Sequence, residues 1–399
     1  MRIRWLAFIP PAALLIGAMS ACAADGMSVA RDPRSTDDEA GARLPEPGPD
    51  AGDGGDAGHA EGGGAGDASL QCSDAGWCET RLPVTSADIF AIAPRESSAF
   101  ALAWVDERTT LLAFDGASWR ALPHEAWDVA PKGKQVLHAV AARSEDEVWI
   151  GGDGGLLLRG IRTSGTFTWT RLSLGREDVV RSIYVASASD VYVATDSCLF
   201  RWSAESTETF QVEYEEAETV EPRTTFREVV GVGTTELWLV GARANCAFVA
   251  RKTNGVWTKI FDSEPLAGLF CDFRDPYAYQ TPPFTKAVAS GNGELTTLAS
   301  GELLMRVKPD TGDGMVLEYA SVPSDTADVW VVPGTANVFT AGFALVQESQ
   351  DPWSGGVWNV SSVAFDGKPT LTQFKAVRGT DAKNLWVVGD SYALHKKTP

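Results

Sequence analysis

From residue 71 onward one phrase recurs, and it leaves few folds open. It consists of a short apolar strand with Ala, a polar turn, a strand centred on an aromatic, a Gly or Asp turn, another apolar strand often ending in Arg, and a segment ending in Trp. The clearest copy, residues 136–172, reads VLHAVAA, SEDE, VWIGG, DGG, LLLRG and FTWTRL. Others read SIYVASASDVYVATDSCLFRW from Ser182, REVVGVGTTELWLVGARANCAFVARKTNGVW from Arg227 and FKAVRGTDAKNLWVVGDSYALHK from Phe374, with weaker copies near Asp88, Phe284 and Ala327. The second-strand register marks are Phe100, Trp149, Tyr192, Trp238, Thr296, Phe339 and Trp386. They are spaced by about 48 residues on average, the length of a four-stranded propeller blade.

The spacing predicts an all-β fold: a β-propeller of seven four-stranded blades over residues 71–399. Each strand runs apolar for only four to seven residues between Gly, Asp, Asn and Ser turns, and no stretch carries a capped 3.6-residue period. Stacked blades cover both faces of so small a sheet, so Trp149, Trp169, Trp238, Trp257 and Trp386 are expected between blades. The last copy lacks a fourth strand. WCETRL, from Trp77, matches the fourth-strand phrases WTRL at Trp169 and WRAL at Trp119. An N-terminal strand is therefore expected to complete the last blade and close the ring, removing an exposed edge.

Upstream the chain is of another kind. Arg2 and Arg4 precede an apolar run, residues 5–17, and small residues lead to Cys22, so residues 1–21 read as a signal peptide. Residues 23–70 hold eleven acids and three bases, a net charge of −8, and residues 50–68 are almost wholly Gly, Ala and Asp. Such a stretch cannot bury enough surface to offset its chain entropy, so residues 22–70 read as a disordered acidic tether. The Asp50, Asp53, Asp56 spacing lacks the large apolar residue that lets calcium-binding Gly-Asp repeats stack. The net charge of the whole chain is −19, which argues against nucleic acid, since phosphate recognition needs clustered Lys and Arg.

Several resemblances follow from these residues. Met19-Ser20-Ala21-Cys22 resembles the bacterial lipobox, with Met19 in place of the usual Leu. The resemblance implies that Cys22 is lipidated and, with Ala23 rather than Asp behind it, that the protein sits at the outer membrane; cleavage near Ala21 or Ala24 of a plain secretory signal is the alternative. An Asp-Ala-Gly tether before a β-rich body is similar to myxobacterial lipoproteins. FDGASW at Phe114 and TNGVW at Thr253 resemble degenerate Asp-box hairpins, and VWIGGDGGLLLR resembles Ycf48-like and BNR propeller repeats. This covers roughly residues 77–399 and implies architecture, not activity, because propellers host many functions.

The search for chemistry yields candidates rather than a motif. With Cys22 lipidated, five cysteines remain in an oxidising compartment. Cys72 and Cys78 are placed to clip the N-terminal strand. Cys246 and Cys271 fall in connections on one propeller face, with Cys198 as the competitor for that pairing. Zinc is disfavoured, because there is no C-x-x-C and the four His are scattered, so neither metal nor cofactor is expected.

Asp153, Asp196 and Asp390 occupy equivalent turns of three blades and could ring one face as a carboxylate funnel, although Asp also suits hairpin turns on geometric grounds. Arg243 and Arg274 are the basic candidates near them. The insertion between the fourth and fifth copies, residues 261–284, carries Phe270, Phe273, Tyr277 and Tyr279, and aromatics with Arg are usual anchors of recognition surfaces. The expected function is therefore a non-enzymatic binding or assembly propeller, monomeric, touching the membrane only through its lipid and serving a protein or glycan partner of the envelope. The alternative is a glycan hydrolase on the same scaffold, which requires two carboxylates converging in a cleft.

Overall fold

The computed structural model describes residues 71–397 apart from residues 85, 124–135, 205–208, 217–222, 244–245, 263–264, 267–269, 272–283, 300–302, 311–313 and 323–324. The leader, Cys22, the acidic segment, Arg274, Tyr277 and Tyr279 lie outside the described residues.

Seven four-stranded antiparallel sheets form the body. Their first strands are Asp88–Pro94, Leu137–Ser144, Val180–Val185, Thr224–Val232, Phe284–Gly291, Thr326–Val331 and Phe374–Asp381, which open blades 1 to 7. Each first strand packs against the first strands of the blades on either side, and blade 7 packs against blade 1, so the sheets form a closed ring around a central channel. Among the described residues the departures from strand and turn are two single-turn 3-10 segments, Asp153–Gly155 and Pro352–Ser354.

Seven apolar clusters form the core, one between each pair of neighbouring blades. The register marks explain how they are filled. Phe100, Trp149, Tyr192, Trp238, Phe339 and Trp386 all sit on second strands, are buried, and point toward the next blade round the ring. Thr296 takes the same place in blade 5. Burying each large aromatic contributes about 1.5–3 kcal/mol, so one recurrent position supplies a share of six of the seven interfaces. Trp169 and Trp257 pack at the margins of two of these clusters.

Trp77–Glu79 is the outermost strand of blade 7, antiparallel to Tyr392–Lys397, with Trp77 opposite Lys396 and Glu79 opposite Leu394. Trp77 is fully buried, and the Thr80 amide and hydroxyl both donate to the Ala393 carbonyl, at 2.9 and 2.6 Å. A disulfide joins Cys72 to Cys78.

Candidate functional site

The first strand of every blade carries a β-bulge near its beginning, one to three residues after it starts. The extra residue is Phe90, His138, Arg181, Arg227, Thr285, Ala327 and Lys375 in blades 1 to 7. A bulge leaves one residue out of the ladder and turns its side chain away from the regular alternation. Here it releases seven side chains at one end of the channel, and five of them, Phe90 to Thr285, line a cavity of about 260 Å³ between the inner strands.

The residue facing the start of each bulge is small: Gly152, Gly241, Gly342 and Gly389 in blades 2, 4, 6 and 7, and Ala103, Thr195 and Ala299 in the others. A Cβ on any of the four glycines would run into a backbone carbonyl oxygen at the start of the first strand: Val136, Thr225, Asp325 or Gln373. The repeated phrases VWIGG, LWLVG, VFTAG and LWVVG thus mark where the chain crowds itself to make the bulge. That signal was present in the sequence, and a reading in terms of apolar alternation passes over it.

The three nominated aspartates answer these bulge residues. Asp153 Oδ1 lies 2.7 Å from His138 Nε2, Asp196 Oδ1 accepts from Arg181 Nε at 2.6 Å, and Asp390 Oδ1 lies 2.9 Å from Lys375 Nζ. Each blade brings its turn acid to its own bulge residue because the turn between the second and third strands stands beside the start of the first. The expected carboxylate funnel is therefore a set of acid–base pairs. Asp88 shares Lys375 with Asp390, at 2.6 Å, and ties blade 1 to blade 7. These two carboxylates come close, but one ammonium is seated between them and neither lines the cavity.

Arg243 corrects an expectation. It is not offered to a ligand: its guanidinium is buried, paired with Glu216, and donates through Nε to Thr224 Oγ1 at 3.2 Å. Cys246 is disulfide-bonded, whereas Cys198 is a buried free thiol. Burial pushes that thiol up to about 11, and Arg176 Nη1 donates to its sulfur at 2.9 Å. Cys271 belongs to the two-residue strand Phe270–Cys271, paired with Pro265–Leu266.

Deeper in the channel lies a charge cluster that the repeat gives no hint of. Glu228 Oε2 accepts from the Ala287 amide at 2.7 Å, and Asp328 Oδ2 accepts from the Val377 amide at 2.9 Å, so each carboxylate holds the inner strand of the next blade. Arg378, from blade 7, pairs with Asp328 and reaches Glu228 Oε1 at 3.6 Å. Burial alone would favour loss of the Arg378 proton, but Asp328 and Glu228 outweigh it and keep the guanidinium charged. Burial pushes the Glu228 carboxyl above the ordinary glutamate range.

With ring, bulges and channel in view, the fold finds its counterparts among solved propellers. The described body is a propeller like that of YCF48. A structure of YCF48 bound to a D1 peptide aligns over 83% of this chain and 100% of its own, with a TM-score of 0.59 at 17% identity. YCF48 from Cyanidioschyzon merolae aligns over 81% and 99%, with a TM-score of 0.55 at 14% identity. A virginiamycin B lyase from Staphylococcus aureus aligns over 80% and 98%, with a TM-score of 0.58 at 10% identity. At such identities the likeness speaks for the fold alone. No protein family profile matches the chain, and no curated protein matches it.

Proposed function

We propose that this protein is an outer-membrane lipoprotein, anchored through Cys22, whose propeller is a non-enzymatic binding or assembly module for a protein partner in the periplasm or at the cell surface. The observation that carries this reading is the bulge ring. A constant backbone device displays seven side chains of six types on one face, an arrangement suited to recognition by surface chemistry. YCF48, of the same fold, was solved with a peptide bound, which supports a protein as the partner. The aromatic insertion with Arg274, Tyr277 and Tyr279 belongs to this reading on sequence grounds, with Cys271 as the partner of Cys246. The acids that a hydrolase would need are instead tied to Lys375, Arg181 and His138.

The test is capture of partners from native envelopes with the wild type and with a variant carrying Arg181→Ala and Arg227→Ala. Partners retained by the wild type should be lost or sharply reduced with the variant, while the two proteins melt alike. Equal capture would refute the bulge ring as the recognition surface. Anchoring is tested apart: Cys22→Ser should move the folded protein to the soluble fraction, and a variant that stayed in the membrane after a salt wash would remove the lipoprotein reading.

A further inference from the structure

The cavity under the bulge ring is too small for a partner's domain or strand, and its lining is chemically lopsided. The residue after the bulge is Ala91, Ala139 and Ala376 in blades 1, 2 and 7, but Ser182, Glu228, Lys286 and Asp328 in blades 3 to 6. At this position one side of the channel is therefore apolar, with Val140 and Ile92 beside it, and the other is polar.

Two of the cations around the cavity are already committed. Arg181 is held by Asp196, and Arg378, which reaches in from blade 7, by Asp328 and Glu228, whereas Lys286 has no ion-pair partner among the described residues. Arg227 lines the same cavity, is exposed at its mouth, and has no ion-pair partner among the described residues. Two cations that line the cavity, Arg227 and Lys286, are thus without an ion pair among the described residues, and Arg227 is the exposed one, beside an apolar wall, inside a protein of net charge −19. A guanidinium presents donors in a planar fork that matches a carboxylate.

We propose that this cavity is a binding site for a small amphipathic monocarboxylate, its carboxylate on Arg227 and its hydrocarbon body against Ala91, Ala139 and Ala376. The inference goes beyond the partner-binding reading and does not depend on it. Size sets the first limit: about 260 Å³ is at the small end of ligand cavities, which run roughly 300–1,000 Å³, so the ligand is a small molecule. Charge sets the second. A phosphate group brings a charge of about −1.5 to −2, and part of that charge would have to sit against Glu228, which lines the same cavity. Shape sets the third, because the alanine wall rewards only a ligand with an apolar body.

The experiment is titration calorimetry of the full chain with hexanoate, with inorganic phosphate and hexylammonium as comparison probes. One hexanoate should bind per protein, more tightly than either comparison probe. Arg227→Gln should weaken binding about tenfold or more, the effect of losing one charge-assisted pair, without changing the melting temperature. Ala91→Leu, which narrows the apolar side and leaves every charge in place, should weaken hexanoate binding as well. Absence of heat at hexanoate concentrations on the order of 10 mM would overturn the proposal. So would phosphate or hexylammonium binding as well as hexanoate, or an Arg227→Gln variant that binds hexanoate like the wild type. Partner capture by Ala91→Leu separates the two readings, since a recognition face that works through the bulge ring should still capture with the cavity narrowed.

Discussion

Arg243 and Glu216 show how a residue's role turns on what surrounds it. The arginine was nominated for a ligand because of its place in the repeat, yet it is sealed under Glu216, which also receives Lys259 Nζ at 2.8 Å and the Tyr214 hydroxyl at 2.9 Å. Burial by itself would raise the Glu216 carboxyl, but the hydrogen bonds from Lys259 and Tyr214 outweigh it and hold the group below the ordinary glutamate range. A carboxyl depressed in the folded state contributes stability above its unfolded pKa, and that contribution is lost as pH falls through the folded value. Glu216→Gln should therefore cost about 3 kcal/mol at pH 7, since it strands a buried guanidinium. The gap between wild type and variant should narrow as the pH drops below the ordinary glutamate range, which urea unfolding of both proteins across acid pH would measure. A gap that is the same at every pH would mean that the loss comes from packing and not from charge.

At the scale of the strand, the bulge and the small residue facing it act as one unit. Gly389 stands opposite Phe374, and the next residue, Lys375, is expelled from the ladder to reach Asp88 and Asp390. A side chain at 389 meets the Gln373 carbonyl, so the first strand must shift away from the second. Gly389→Val should lower stability by about 1–3 kcal/mol through overpacking. Because it displaces the bulge, it should also loosen the Lys375 bridge between blades 7 and 1. Double-mutant cycles with Lys375→Met offer the check: the losses should be less than additive, since the same bridge is removed twice. Strictly additive losses would show that glycine and bulge are independent.

For the whole molecule, the question is what keeps seven separately built sheets in one ring. Blade 7 takes its outer strand from residues that precede blade 1, so the two ends of the body meet in one sheet. Deleting residues 71–84 should strip the edge of that sheet, expose apolar surface around Leu394 and cause a large fall in melting temperature or aggregation. Deleting residues 23–65 should leave the melting temperature almost unchanged. If the two deletions melted together, the N-terminal strand would not be what secures the ring. The architecture could be read from the chain because it is periodic: one register position every 48 residues or so, aromatic in six of the seven copies and flanked by apolar runs and turn residues, is a local signal that recurs along the chain. The inter-blade place of Trp149, Trp238 and Trp386 follows from the same period. The Cys72 and Cys78 pair was legible because six residues of chain hold the two thiols together. The chemistry of the channel was not legible, because it is made between blades. Glu228, Asp328 and Arg378 are 100 and 50 positions apart in the chain, and only closing the ring brings them to one point. Likewise Asp153, Asp196 and Asp390 read as free acids until the bulge turns His138, Arg181 and Lys375 toward them. Sequence period fixes which residues face a neighbouring blade; which charges then cancel and which cations are left over depends on the distances that the closed ring imposes.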